Sequence, residues 1–461
     1  MVIVQHLLSV ISFLLGMLLI SQLLRERKAP GSTVAWLLLM ILIPYVGAPL
    51  YLTFGGRKIK KRASKKQRLY PSLPFWKASL EILPIERILL SSGVPSIKSD
   101  NHVELLSTGE QAYSELKKLI QGAKKSIHIT TFILGKDKVG EDILSQLQIQ
   151  AQRGVEVCLL LDGFGSLWVT NRSLRLLRAA GGQVAFFLPI FRIPLFGRSH
   201  LRNHRKAVIV DGKSAIIGGM NLAEEYLGPT PSPKRWVDLS LLVKGSAAGD
   251  LEDIFCSDWA FASEHSLAKV LSAKGSEIPV TSGTAKIQVV ASGPDVSGDP
   301  LYDSILSAVF GAQKRVWIAT PYFIPDETLS KALELAARRG VDVRLLVPKR
   351  SDHFLADLCR GSYLRQLDRA GGQIFYFVPR MMHAKVAIID ESYAIVGSAN
   401  IDMRSLLLNY EIGAYLYSSE TIQMISEWFS FLQKDTVSRR LRKYRGAELL
   451  DGLGRILGPM L

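Results

Sequence analysis

Two histidines, His204 and His383, sit in the same short pattern. Each is followed two residues on by a lysine, Lys206 or Lys385, and five further by an aspartate, Asp211 or Asp390. Each copy then reaches a pair of small residues, Gly218-Gly219 or Gly397-Ser398, and an asparagine, Asn221 or Asn400. The distance from His to Asn is 17 residues in both copies. The apolar runs between them, Ala207–Val210 and Val386–Ile389, read as buried strands, and a strand puts residues two apart on one face. His204 and Lys206 therefore point together, as do His383 and Lys385. Two such edges facing across a pseudo-twofold would surround one phosphodiester with two imidazoles and two ammonium groups. One imidazole can attack phosphorus while the other protonates the departing alkoxide. The lysines hold the non-bridging oxygens, helped by Asn221, Asn400 and the turns carrying Gly219 and Ser398. This chemistry needs no metal, and no ligand cluster is legible in the sequence, so no cofactor is expected.

A nucleophilic imidazole also needs an acceptor to orient its other nitrogen. Asp238, in Trp236-Val237-Asp238, and Glu411, in Asn409-Tyr410-Glu411, lie comparable distances downstream of the two histidines and are expected to do this. Asp211 and Asp390 complete the motif and count with its catalytic residues, although their places at strand ends before turns also suit a structural role. A single three-residue match of this kind is expected well under once per chain. Two copies, each extended to the same Gly and Asn positions, leave almost no room for coincidence.

The elements that position these residues are themselves duplicated. Gly122–Ile129 resembles Gly311–Ile318, Arg153–Val157 resembles Arg339–Val343, and Ala179–Val184 resembles Arg369–Ile374, in the same order. A period near 190 residues is too long for a solenoid and points to a repeated domain. Within each half, apolar runs such as Val155–Leu161 and Val341–Val347 alternate with helical stretches such as Glu141–Gln152 and Leu329–Arg338. That alternation predicts a sheet covered by helices, an α/β class. The Ser-, Gly- and Pro-rich stretch Lys274–Pro300 is the natural boundary. The first half also carries an apolar and basic insertion, Ile190–Arg198, between Pro189 and His204. A loop packed on the neighbouring lobe is one reading of it, and a loop dipping among acyl chains is the other.

The amino-terminal region differs in kind. Met1–Leu24 and Ala29–Gly56 contain no Asp, Glu, Lys or Arg, and each is long enough for a bilayer core of about 20 apolar residues. The first stretch has no basic n-region and no cleavage pattern, which excludes a signal peptide as its natural reading. Eight basic residues follow between Arg57 and Arg68, against three between the stretches. The positive-inside rule then places both termini and the main body in the cytoplasm. The same run could gather anionic headgroups. The formal charge of +16 favours a polyanionic partner, either nucleic acid or an anionic bilayer. The spans and the lack of a long basic–aromatic groove pattern favour the bilayer, so no nucleic acid is expected. Three scattered cysteines, Cys158, Cys256 and Cys359, suggest a reducing compartment and no disulfide framework. The tail from Arg439 combines a basic cluster with apolar residues near helical spacing, which suits docking on the body or a surface-bound amphipathic helix.

The paired H-x-K-x-x-x-x-D motif resembles the phospholipase D superfamily across roughly residues 107–431. Within it, the chain is similar to the bacterial cardiolipin synthases at Ala35–Leu38, Pro44–Gly47, Thr320–Asp326 and Asn400–Ser405. The resemblance implies a transmembrane helical hairpin (1–56, helices about 3–24 and 33–54) and a basic linker (57–100). Two pseudo-symmetric α/β/α sandwich lobes (101–275 and 276–461) would then share one active site. It further implies an inner-membrane enzyme whose partners are phosphatidylglycerol and anionic lipids. Two phosphatidylglycerols would become cardiolipin and glycerol through a phosphatidyl-histidine, with His204 the nucleophile. Gly219 departs from the family pattern, which commonly has Ser there, as at Ser398. A phospholipase D that hydrolyses or exchanges headgroups is the alternative within the same chemistry, and a membrane-anchored nuclease a further one. A non-catalytic lipid-binding scaffold is disfavoured by two intact His/Lys pairs.

Overall fold

The computed structural model describes residues 83–169, 171–189, 201–267 and 283–438, together with 66–70, 30–43 and positions 17, 19–21, 23, 47, 51 and 270. The insertion Ile190–Arg198, most of the basic run 57–68, most of the first expected span and the tail from 439 lie outside these residues. Pro30–Leu42 forms a helix of 13 residues. Among the described residues, no helix is long and apolar enough to cross a membrane. Leu19 and Leu23 nevertheless pack with Met40 and Tyr51, and the Trp36 and Tyr51 rings meet edge to face at 5.4 Å. The two apolar stretches therefore touch.

Seventeen strands follow in the described body. In the first half they are β1 (Lys98–Leu106), β2 (Ser126–Thr131), β3 (Glu156–Asp162), β4 (Gln183–Phe187), β5 (Ala207–Val210), β6 (Ser214–Gly218) and β7 (Ser240–Lys244). In the second they are β8 (Ala285–Ser292), β9 (Arg315–Ala319), β10 (Phe323–Ile324), β11 (Asp342–Pro348), β12 (Gln373–Phe377), β13 (Val386–Ile389), β14 (Tyr393–Gly397), β15 (Ile401–Asp402), β16 (Glu411–Leu416) and β17 (Thr436–Ser438). Fifteen of them form one sheet, and β10 and β15 pair separately. Outward from the central seam, the first half runs β1-β7-β6-β5-β2-β3-β4 and the second runs β8-β16-β14-β13-β9-β11-β12, with β17 added at its edge. The order is the same in both, so the sequence repeat is a repeat of topology. The seam is the antiparallel pairing of β1 with β8, in which Lys98 faces Ile287 and Asn101 faces Ala285.

Alternation along β3 explains why helices cover both faces of this sheet. Cys158 and Leu160 enter one apolar cluster, while Val157, Leu159 and Leu161 enter another. A strand buried on both sides reads as a continuous apolar run, which is what β3 shows. The repeated sequence pieces are helix ends. Gly154 and Gly340 have φ of +86° and +88°, the left-handed conformation that closes the helices Lys138–Gln152 and Glu327–Arg338 at little steric cost. Aspartates open the same two helices: Asp137 accepts from the Gly140 N–H at 2.9 Å, and Asp326 from the Leu329 N–H at 3.1 Å.

In each lobe the central strands are parallel (β2-β3-β4 and β9-β11-β12), while β5 and β13 run antiparallel to β2 and β9. Their carboxyl ends therefore lie beside the amino ends of β5 and β13, where the His-x-Lys segments enter. This is the edge of an open α/β sheet at which strand direction reverses and ligands bind.

Candidate active site

The two histidine segments are held by the opposite lobe. Before β5, the His204 N–H donates to the Tyr410 carbonyl at 2.9 Å, and the Tyr410 N–H donates to the Arg202 carbonyl at 2.9 Å. Before β13, the His383 N–H donates to the Val237 carbonyl at 2.7 Å, and the Val237 N–H donates to the Met381 carbonyl at 2.8 Å. These reciprocal bonds place Glu411 of the second lobe against His204, and Asp238 of the first lobe against His383. His204 Nδ1 lies 3.1 Å from Glu411 Oε2 and 3.1 Å from the Ser398 carbonyl. His383 Nδ1 lies 2.7 Å from Asp238 Oδ2. With only acceptors around it, His204 Nδ1 must carry the proton, which leaves the lone pair on Nε2. Glu411 and Asp238 thus each meet a histidine, and the pairing is crosswise between lobes rather than within each.

The glycine that breaks the family pattern follows from the two acids. Ser398 donates its hydroxyl to Glu411 Oε2 at 2.5 Å. At the matching place in the first lobe, a Cβ on Gly219 would collide with Asp238 Oδ1. Glu411 pairs with a serine and the shorter Asp238 packs directly on a glycine, so each acid reaches its histidine by a different local arrangement.

Lys206, Lys385, His383, Asp238 and Glu411 are all buried, and His204 is nearly so. The Lys206 ammonium donates to the His204 carbonyl at 2.8 Å. Lys385 lies against the His383 ring, 2.7 Å from Nδ1 and 3.0 Å from Nε2. Burial lowers Lys206 to about 7, with the Lys385 charge acting the same way, and it lowers Lys385 to about 8. Burial lowers His204 against the pull of Glu411, and burial together with Lys385 brings His383 to about 4. Burial opposes ionisation of the two acids. Lys385 and His383 nevertheless hold Asp238 below the usual carboxylate range, and His204 and Lys206 do the same for Glu411. The site therefore has ionised acids, neutral imidazoles and ammonium groups under strain. An anion placed between the lysines would relieve that strain.

Asp211 and Asp390 do not join this group. Five residues beyond each lysine, they stand at the far ends of β5 and β13, in left-handed conformation with φ of +55° and +50°. The Asp211 carboxylate accepts from the N–H groups of Lys124, Lys125 and Ser126 at 2.7–3.2 Å. Asp390 accepts from Gln313, Lys314 and Arg315 over the same range. They clamp the turns that precede β2 and β9. Asn221 accepts from the Ile133 N–H at 3.2 Å, and Asn400 donates to Ser405 at 3.3 Å, so both brace loops beside the site.

Several contributors carried no sequence signal of their own. Arg205, between His204 and Lys206, is fully buried; it donates to the Glu411 carbonyl at 3.2 Å and pairs with Asp258 at 2.7 Å. Lys66 lies 2.5 Å from both Asp258 and Asp295, which ties the basic linker to the back of the site. Phe132 packs edge-on to His204 at 5.0 Å, while Tyr226 and Trp236 flank His383 at 5.1 and 5.3 Å. No ligand cluster is legible in the sequence. The β2–β3 register, in which His128 faces Cys158, assembles one with Glu156, whose ligand atoms lie within 4.8 Å. His128 Nδ1 there is 3.3 Å from Glu252, and no residue of the paired-histidine site takes part.

Two like lobes whose His-x-Lys segments meet across a seam, each histidine oriented by the other lobe, define the phospholipase D class. A family described as "Cardiolipin synthase, PLD-like domain" matches residues 116–259 and 305–432, and one described as "Phospholipase_D-nuclease N-terminal" matches 14–56. The chain belongs to the cardiolipin synthase family of phospholipase D-like proteins. It is 35% identical to cardiolipin synthase 1 of Bacillus anthracis, covering 95% of this chain and 90% of that one. Cardiolipin synthases of Geobacillus kaustophilus and Clostridium perfringens are 32% and 31% identical, each covering 95% of this chain and 90% and 95% of theirs. Among solved structures, phosphatidylserine synthase of Haemophilus influenzae superposes with a TM-score of 0.63 at 17% identity. That match covers 82% of this chain and 99% of that one, and it supports the fold.

Proposed function

We propose that this chain transfers a phosphatidyl group between two phosphatidylglycerols, giving cardiolipin and glycerol. The crosswise His204–Glu411 and His383–Asp238 pairs around two buried lysines carry this reading, together with full-length relatives named as cardiolipin synthases. His204 Nε2 attacks phosphorus while His383, protonated when the anionic lipid binds, gives its proton to the departing glycerol oxygen. The terminal hydroxyl of a second phosphatidylglycerol then gives its proton back to His383. Its oxygen attacks the phosphatidyl-histidine and releases His204. Lys206 and Lys385 hold the non-bridging oxygens as their charge grows in both steps. His204 takes the nucleophile's role from the family resemblance, and its Nε2 lone pair agrees with it.

We place the catalytic residues at His204, Lys206, His383 and Lys385, the orienting acids at Asp238 and Glu411, and the clamps at Asp211 and Asp390. Residues 1–56 serve as a hairpin in the bacterial inner membrane, followed by the linker 57–100. The lobes 101–275 and 276–461 lie on the cytoplasmic side, with anionic lipids as partners. The purified full chain, given phosphatidylglycerol bilayers and labelled glycerol, should exchange label into phosphatidylglycerol and form cardiolipin in excess of phosphatidic acid. Phosphatidic acid as the sole product would replace the transferase reading with hydrolysis. Absence of glycerol exchange under turnover would remove the covalent intermediate.

A further inference from the structure

Two loops flank the paired histidines, one from each lobe, after the topologically equivalent strands β3 and β11. The first carries Phe164, Leu167 and Trp168, which are 57%, 39% and 77% exposed; the second leads to Phe354 and Leu355, 79% and 49% exposed. Trp168 and Phe354 thus leave most of their rings in solvent, and they stand at matching places in the two halves, each after the equivalent strand.

Both loops adjoin the site. Asp162, closing β3, accepts from the Asn203 N–H at 2.9 Å, directly before His204, and from the Phe164 N–H at 2.8 Å. The Arg202 guanidinium lies over the Phe164 ring at 5.2 Å. On the other side, Tyr322 donates to Asp352 at 2.6 Å and packs edge-on to His353 at 5.5 Å, and Asp352 lies close enough for its charge to act on Lys385.

These loops are pinned, so their apolar side chains are held outward. The Ser166 hydroxyl donates to the Phe132 carbonyl at 3.0 Å and accepts from the Leu134 N–H at 3.1 Å. The Ser351 N–H donates to Asp357 at 2.9 Å. Exposed basic residues accompany each loop, Arg172 and Arg175 in one lobe and Lys349 and Arg350 in the other. Apolar tips backed by cationic side chains are what an anionic bilayer interface accepts.

We propose that these two loops form a rim that seats the active-site mouth in the interface of an anionic bilayer, with an aromatic anchor on either side. The proposal rests on the phosphatidyltransferase reading: a two-tailed lipid reaches buried histidines only where the mouth meets the bilayer surface. With a rim in each lobe, the donor and the acceptor lipid have equivalent approaches.

The test uses the full chain in phosphatidylglycerol nanodiscs and, separately, short-chain phosphatidylglycerol dispersed as monomers. Trp168→Ser with Leu167→Ser, and Phe354→Ser with Leu355→Ser, should lower bilayer turnover roughly tenfold or more through apparent KM while leaving monomer turnover nearly unchanged. As a measurement independent of these variants, lipids brominated near the headgroup should quench wild-type fluorescence more than that of Trp168→Phe. Equal quenching of the two proteins, or equal losses on both substrates, would overturn the rim. Unquenched Trp168 that is also shielded from a soluble quencher would assign the surface to a protein neighbour and overturn it as well. A wild-type chain that transfers from neither substrate would instead reject the function on which the rim rests.

Discussion

At the scale of single residues, the crosswise pairing decides what substitution should do. An acid that fixes the tautomer of a catalytic histidine is worth about 10⁴ in kcat, and residues acting as one unit lose activity together rather than additively. Glu411→Gln should therefore cripple turnover. Adding it to His204→Ala should cost little more, whereas combining it with Asp238→Asn should compound the losses. A cycle that instead coupled Asp238 to His204 would refute the interlobe arrangement. The lysines set the pH dependence. In the free enzyme, burial holds Lys206 near about 7 and Lys385 near about 8, so each is charged below its value and neutral above it. As pH rises through that window the site loses its hold on a phosphate anion, and kcat/KM should fall. The alkaline limb of kcat should lie higher, because bound phosphate favours the ammonium forms. A flat kcat/KM between about pH 6 and 9 would show that the lysines are not felt by the incoming lipid.

At the scale of elements, much was legible because it is local. The expected helices Glu141–Gln152 and Leu329–Arg338 are present, closed by Gly154 and Gly340 in the left-handed conformation, and the repeated apolar runs are buried parallel strands. The partner of each histidine was not legible, since Asp238 and His383 lie 145 residues apart and only the closure of the seam brings them together. The motif aspartates show the same limit from the other side. They look catalytic because they recur beside His and Lys, yet a strand of four residues carries each away from the mouth. Removing the carboxylate strips acceptors from three backbone N–H groups. Asp211→Ala and Asp390→Ala should therefore each cost about 1–3 kcal/mol in unfolding while leaving turnover of the folded protein largely intact. Denaturation and low-temperature turnover, measured side by side, check this. A loss of turnover like that of His204→Ala with unchanged stability would return these aspartates to the chemistry.

At the scale of the whole molecule, the question is how the basic run after the apolar stretches meets a buried site. The run from Arg57 to Arg68 reads as a topological flank, yet Lys66 is buried between Asp258 of one lobe and Asp295 of the other, with Tyr410 at 5.1 Å. Asp258 also holds Arg205, whose guanidinium supports the Glu411 carbonyl. Position in a charge run carries no information about which member turns inward, so only the fold reveals this one. The ten residues from Gly56 to Lys66 can extend at most about 35 Å, which keeps the lobes close to any bilayer that holds the preceding stretch. Lys66 then acts as a fastener between that stretch and the seam, and removing it leaves two buried carboxylates short of a partner. Breaking a buried ionic group in this way costs about 3 kcal/mol or more, far above the effect of neutralising a surface charge. Lys66→Met should lower the unfolding midpoint of the full chain by several degrees and reduce kcat more than it raises KM, because the disturbance reaches His204 through Arg205 and Glu411. Arg68→Met, at an exposed position two residues on, should leave the midpoint and kcat near wild type. Equal effects of the two substitutions would make the whole run an undifferentiated flank and detach it from the active site.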